Sequence, residues 1–242
     1  MELKICHLYP DVMNLSCDGG NVLTMERRLQ WRGIEVSVSS VQMGDMLDAA
    51  AFDLIFMGNG QPFAQPLLLE DIQKNKAVQL RSAVEDGIPV LAIDGAFELL
   101  GRCCETAEGE KIDGLGILAA QTKYTGKRFV GNYLFACDEL KTNLVGFENH
   151  SGKTYLDSDC KPLGTVLNGF GNNGEDHTEG ARYRNVFATY AHGCLLPKNP
   201  VFCDHLLFAA LQRKYGTVEL EPLDDTLEKN AHRYMETRLS SK

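Results

Sequence analysis

The sequence has few of the features that mark secreted, membrane-spanning or nucleic-acid-binding proteins. No stretch approaches the roughly 18 consecutive apolar residues that a membrane-spanning helix needs. The first twelve residues, MELKICHLYPDV, have neither the basic start nor the long apolar run of an export signal. Basic residues are too few for a nucleic-acid partner, because 24 Lys and Arg stand against 33 Asp and Glu, for a net charge of −9. We therefore expect a cytoplasmic protein with no nucleic-acid partner and no membrane insertion.

The eight cysteines form neither a metal-binding nor a disulfide pattern. They are scattered along the chain and include no C-x-x-C pair, the spacing that structural zinc sites use. Without an export signal, reduced thiols are the expected state, several of them buried as core side chains. The sequence therefore predicts no metal site.

Short apolar strands alternate with helices through the first hundred residues. The predicted strands are Leu3 to Leu8, Glu35 to Val41, Leu54 to Met57 and Val90 to Ile93, and the predicted helices are Asn21 to Trp31, Leu67 to Glu85 and Ala96 to Arg102. This alternation favours a parallel sheet with both faces covered. Shorter β-like runs follow Gly114, and two helices, 200–214 and 226–238, end the chain. With no repeat or linker, residues 1–242 are predicted to form one domain, an α/β/α sandwich of three layers around a mainly parallel sheet.

Residues 90–101, VLAIDGAFELLG, are the most informative stretch. A buried strand ends at one polar residue, Asp94, which small residues and a helix follow. This is the arrangement of a nucleophile elbow, where a polar side chain is held at the carboxyl edge of a sheet above the next helix. The N–H of Gly95 would point to the place where an oxyanion forms. Aspartate is also a good helix N-cap, so these residues alone leave a structural and a functional role open for Asp94.

Further motifs extend this pattern along nearly the whole chain. In order they include Asp18-Gly19-Gly20-Asn21, Gly58-Asn59-Gly60, the elbow, Gly146–His150, Gly169–Asn173, Glu179-Gly180 and Thr189–Gly193. Together they resemble the GatD-type glutamine amidotransferases, relatives of the cobyric acid synthase glutaminase domain. The resemblance implies the flavodoxin-like fold of class I glutamine amidotransferases, no cofactor, and glutamine as substrate or ligand. It also implies a MurT-type Mur ligase partner, with which the family amidates the D-glutamate of lipid II.

The resemblance assigns roles to five positions. It puts the family's nucleophilic cysteine at Asp94 and its catalytic histidine, which passes a proton to departing ammonia, at His192. The N–H groups of Gly60 and Gly95 would form the oxyanion hole. Arg128 would hold the carboxylate of glutamine.

Asp94 departs from that pattern, because a carboxylate is a poor nucleophile toward an amide. Ala96, Glu98 and Asn59 are further departures around the same pocket, in place of glycine, glutamine and glycine. We therefore expect glutaminase activity to be impaired or lost. Two alternatives stay open: a pseudo-amidotransferase that acts as a scaffold or glutamine sensor, and a hydrolase that uses Asp94 as its nucleophile. A relocated thiol at Cys194 is a minor variant.

Asp94 and His192 carry two structural expectations. The two side chains should be in contact or joined by one water molecule. Asp94 should also be ionised, so that the pKa of Asp94 is lowered and that of His192 is raised, because opposite charges favour each other's charged forms.

Overall fold

The computed structural model describes residues 1–60 and 65–241. Its strands are β1 (Glu2–Leu8), β2 (Glu35–Val41), β3 (Leu54–Met57), β4 (Val90–Ile93), β5 (Cys103–Glu105), β6 (Lys111–Asp113), β7 (Ala120–Cys137), β8 (Thr142–Leu156), β9 (Gly164–Asn168), β10 (Thr178–Glu179), β11 (Ala181–Tyr183) and β12 (Val186–Thr189). Its helices are α1 (Gly19–Gln30), α2 (Gln65–Asn75), α3 (Ala77–Glu85), α4 (Gly95–Leu100), α5 (Leu195–Lys198), α6 (Pro200–Tyr215) and α7 (Thr226–Ser240). Among the described helices, none is both long enough and apolar enough to cross a membrane.

The central sheet has six strands in the order β11-β12-β4-β3-β1-β2. Every pairing is parallel except that of β11 with β12. All residues of β3, β4 and β12 are buried, which is why these strands are continuous apolar runs rather than alternating ones. Because the three strands are parallel neighbours, their carboxyl ends lie together at one edge of the sheet, where α/β proteins place their sites.

Helices cover both faces of this sheet. On one face, α2, α3 and α4 pack against alternate strand residues such as Leu8, Met57 and Ala92. On the other face, α1 and α6 pack against the intervening residues, such as Ile5 and Phe56, together with part of β7. The predicted three-layer arrangement around a mainly parallel sheet is therefore confirmed.

A second, mostly antiparallel sheet was not predicted. It runs in the order β10-β9-β7-β5-β6, and β8 pairs along most of β7. Of the short β-like runs expected after Gly114, those at 128–135 and 145–148 are parts of these two long strands, of 18 and 15 residues, and the run at 186–190 matches β12 of the central sheet. The pairing brings the middle of β7, at Tyr124 and Arg128, and the facing part of β8 to the carboxyl edge of the central sheet.

The helix predicted from Leu67 to Glu85 is wrong in one respect, because the structure divides it into α2 and α3. Lys76 separates them with a backbone φ of −137°, outside the helical region. Its ammonium is completely buried and donates hydrogen bonds to Asp71 Oδ2 at 2.5 Å and to the backbone oxygen of Asp45 at 2.7 Å. At this break the buried Lys76 ammonium contacts the Asp71 carboxylate. Helical periodicity in the sequence does not predict such a break.

Candidate active site

The turn between β4 and α4 has the geometry of a nucleophile elbow. Asp94 has φ 52° and ψ −109°, a strained conformation for a residue other than glycine that costs about 1–3 kcal/mol. It occupies the N-cap position of α4, yet its side chain caps no helix N–H, so the N-cap interpretation is wrong. Its own N–H donates to the backbone oxygen of Thr189 at 2.9 Å, which ties the elbow to the end of β12.

His192 lies across from the elbow. It follows β12, and its backbone N–H donates to the Phe147 oxygen at 2.9 Å. The His192 Nδ1 atom is 3.4 Å from Asp94 Oδ2, and the two side chains are only 3% and 8% exposed. The predicted contact between Asp94 and His192 is confirmed.

The charge state expected for Asp94 is wrong. Burial raises its pKa well above the usual range, and the neighbouring carboxylates of Glu98 and Asp18 raise it further. The Arg128 guanidinium acts in the opposite direction without overcoming them. The side chains of Asp94, Glu98 and Asp18 converge on one buried place, which favours the neutral carboxylic acid form of Asp94.

His192 also departs from expectation. Burial, followed by the nearby His150, lowers its pKa to about 4, while a hydrogen bond to the Tyr190 backbone acts to raise it. Both shifts favour the uncharged form of the group, an imidazole at His192 and a carboxylic acid at Asp94. Burial makes either charge costly, so the two shifts oppose the ion pair that the sequence predicts.

The N–H groups assigned to the oxyanion hole differ in their surroundings. The Gly95 N–H donates to the side-chain oxygen of Asn59 at 3.4 Å. The Asn59 backbone N–H in turn donates to Asp18 Oδ2 at 3.0 Å. Asp18 is completely buried, and burial raises its pKa to about 6. The Asn59 side chain thus occupies the Gly95 N–H, a donor that an oxyanion would need. The Asp18 carboxylate holds Asn59 in place, a role that the sequence motif did not indicate.

A cavity of 260 Å³ opens at the elbow, between the two sheets. Four of the five predicted site residues line it: Gly60, Asp94, Gly95 and Arg128. Arg128 is exposed at one side and donates from Nε to Asn149 Oδ1 at 2.6 Å. The fifth, His192, contacts Asp94. The structure therefore brings all five together, while their roles remain predictions.

Glu98 belongs to a hydrogen-bond network that the sequence did not reveal. The Tyr124 hydroxyl donates to its Oε2, and the Tyr190 hydroxyl donates to its Oε1 at 3.1 Å. Thr154 joins Tyr190 at 2.7 Å, and Thr122 joins Thr154 at 2.7 Å. Since the Tyr190 proton points to Glu98, the two threonines must donate along the same direction. The chain of donors ends on the Glu98 carboxylate and ties α4 to the second sheet.

Cys194 is poorly suited to replace the missing thiol. Its Sγ donates to the backbone oxygen of Cys17 at 3.0 Å. Burial raises its pKa, and Cys17 and Asp18 add to that shift. The thiolate that nucleophilic attack requires is therefore disfavoured at this position.

The fold and the elbow–histidine pair define a chain of the class I glutamine amidotransferase type. The solved structure of PurLQS from Thermotoga maritima matches it with a TM-score of 0.60 at 18% identity, over 88% of this chain and 99% of that one. Residues 4–200 match the CobB/CobQ-like glutamine amidotransferase domain, and the chain belongs to that family.

Two curated relatives are similar over almost the full chain. The chain is 38% identical over 228 residues to the lipid II isoglutaminyl synthase (glutamine-hydrolyzing) subunit GatD of Streptococcus pneumoniae, covering 93% of this chain and 87% of that protein. It is 38% identical over 227 residues to the subunit of the same name from Staphylococcus aureus, covering 94% and 92%. The resemblance stated from the motifs is confirmed.

Proposed function

We propose that this chain is the glutaminase-type subunit of a cytoplasmic amide ligase similar to lipid II isoglutaminyl synthase, with glutamine hydrolysis impaired or lost. The similarity to the two GatD subunits over nearly their full length supports the pathway. In such a complex the partner would be a MurT-like Mur ligase subunit, which uses ammonia to amidate a carboxylate.

The observation that carries the proposed impairment is a buried aspartate, Asp94, at the nucleophile position of the elbow. Glutamine hydrolysis of this class needs a thiolate to attack the side-chain amide and a base to hold the thiol proton. A carboxylate is a weak nucleophile toward an amide, and the raised pKa of Asp94 reduces the fraction of the side chain in that form. The Asn59 side chain also engages the Gly95 N–H, which would otherwise stabilise the oxyanion. We expect turnover at least about 10⁴-fold below that of a cysteine enzyme.

Restoring the thiol tests the proposal directly. Asp94→Cys should release ammonia from glutamine, since His192 lies within contact distance of position 94. Adding His192→Ala should abolish that release. Rescue that persists without His192 would show that the elbow and the histidine do not act together.

Asn59 allows a sharper version of this experiment. If its side chain blocks the Gly95 N–H, then Asn59→Gly in the Asp94→Cys background should raise kcat about 100-fold, the usual worth of one oxyanion donor. Asn59→Asp keeps an acceptor beside the same N–H and serves as the matched control, for which no gain is expected. Equal kcat in the glycine and aspartate variants would contradict the assigned oxyanion hole.

The proposed ligase partner has its own test. A tagged native chain purified from its own cells should co-purify with a Mur-ligase-like protein. That complex should amidate its substrate when given free ammonia, and it should fail when given glutamine. Amidation from glutamine by the native complex would contradict the proposed impairment, and it would leave the proposed partner intact.

A glutamine sensor is a second candidate, favoured by the intact Arg128 side of the cavity. Arg128 is held by Asn149 and is suited to a carboxylate ligand. Calorimetry with the native chain should then detect glutamine binding, and Arg128→Ala should weaken it about 10- to 100-fold. The hydrolase alternative has less support, because the raised pKa of Asp94 favours the carboxylic acid, whose oxygen atoms are much weaker nucleophiles than those of a carboxylate.

A further inference from the structure

The segment between β12 and His192 is held from behind by a carboxyl of the second sheet. Glu179, the last residue of β10, is completely buried. Its Oε1 accepts a hydrogen bond from the Thr189 hydroxyl at 2.5 Å and from the Tyr190 backbone N–H at 3.1 Å. Thr189 is the last residue of β12, and Tyr190 begins the turn that carries His192 out of the sheet.

Thr189 connects Glu179 to both Asp94 and the turn before His192. Its hydroxyl oxygen also accepts the Ala191 N–H at 2.9 Å, so it closes the turn just before His192. Its backbone oxygen accepts the Asp94 N–H at 2.9 Å, the bond that ties the elbow to β12. The buried Glu179 carboxyl is therefore connected to His192 through residues 189–191 and to the elbow through Thr189 alone.

The position of Glu179 is itself fixed by its neighbour. Gly180 has φ +61°, and a Cβ at that position would lie 2.2 Å from the Ala188 backbone oxygen. Only glycine lets the chain pass this close to β12, and the close passage puts the Glu179 carboxyl against the end of the strand. The contact between Glu179 and the end of β12 therefore depends on both the Gly180 turn and the Glu179 carboxyl.

We propose that Glu179 is a positioning residue for the Asp94–His192 pair, acting through Thr189 and the Tyr190 backbone. The inference concerns the geometry of the proposed site and does not depend on whether the site turns over glutamine. Without the carboxyl, the Thr189 hydroxyl and the Tyr190 N–H lose their acceptor, and the turn before His192 can open toward water. His192 would then be less buried, and its ring would titrate more like a free imidazole.

The experiment follows the ring of His192 by NMR titration, with its signal assigned by comparison with His192→Gln. Glu179→Leu removes the acceptor at similar volume, and it should raise the pKa of His192 by about one unit or more from its native value of about 4. Glu179→Gln keeps an oxygen acceptor and should restore the native titration. Thr189→Val is a milder variant that should also raise the pKa of His192, and it decides the matter if Glu179→Leu does not fold.

Asp53→Leu is the matched control for general destabilisation. Asp53 is buried, accepts the Lys4 N–H and the Lys214 ammonium at 2.8 Å, and lies at the opposite edge of the central sheet. This variant should lower the melting temperature and leave the His192 titration unchanged. An unchanged His192 titration in folded Glu179→Leu or Thr189→Val would overturn the proposal, and so would a shift of equal size in Asp53→Leu.

Discussion

Replacing Asp94 with asparagine should stabilise the fold at neutral pH, and the gain should disappear in acid. Burial and two neighbouring carboxylates raise the pKa of Asp94 in the folded chain, whereas the unfolded chain has the ordinary value of 3.8. Between these two values the folded state binds a proton that the unfolded state has released. The contribution of Asp94 to native stability therefore falls by about 1.4 kcal/mol per pH unit as the pH rises from 3.8 to the folded pKa. Asparagine has nearly the same shape as aspartate but does not titrate, so it adds no pH dependence to the stability.

The assay is urea unfolding of the native chain and of Asp94→Asn at pH 4.5, 5.5, 6.5 and 7.5. The difference in unfolding free energy should grow with pH at the slope given above and level off beyond the folded pKa of Asp94. Asp71→Asn is the control. Burial acts to raise the pKa of Asp71, but hydrogen bonds from Lys76 and Tyr9 lower it to about 2, so its loss should cost the same at all four values. A pH-independent difference for Asp94→Asn would mean that Asp94 is ionised and would refute the reasoning.

Three further predictions test the surroundings of the elbow. Glu98→Gln should lower the pKa of Asp94, since the Glu98 charge raises it, as followed by the Asp94 carboxyl ¹³C shift; an unchanged pKa would contradict this coupling. Gly58→Ala would put a Cβ 2.5 Å from the Met13 backbone oxygen, and it should lower the melting temperature by about 2–10 °C, in line with an overpacking cost of 1–3 kcal/mol; an unchanged melting temperature would contradict the close approach. His192→Gln should abolish the loss of stability that the native histidine causes as the pH falls from 6.5 to about 4, roughly 1.4 kcal/mol per unit, in urea unfolding.

The central sheet and the elbow could be predicted because their signals are local. Strands β3 and β4 are short apolar runs that need both faces covered, and the predicted bounds match the structure. The elbow places a polar residue directly after such a strand, so Asp94 falls at the carboxyl edge by topology. His192 follows β12, a parallel neighbour of β4, and this pairing puts it at the same edge.

The second sheet and the charge state of the site could not be predicted in this way. The pairing of β7 with β8 depends on register over many residues, which no short motif encodes. The pKa shifts depend on how deeply Asp94 is buried and on which charges approach it. Asp18 and Glu98 come from α1's amino end and from α4, and their distance to Asp94 is set by the folded chain. The lowered pKa that the sequence predicts for Asp94 rests on its histidine partner alone and does not include the effect of these two acids.

The most direct test of the central claim is ammonia release from glutamine by the native chain, compared with Asp94→Ala and Cys194→Ala. All three should release no ammonia above background, because none of them has a thiol at position 94, where the family's thiolate attacks. Turnover by the native chain that is lost in Asp94→Ala would make the aspartate a working nucleophile. Turnover that survives in Asp94→Ala and is lost in Cys194→Ala would move the nucleophile to the thiol. Either result would contradict the account.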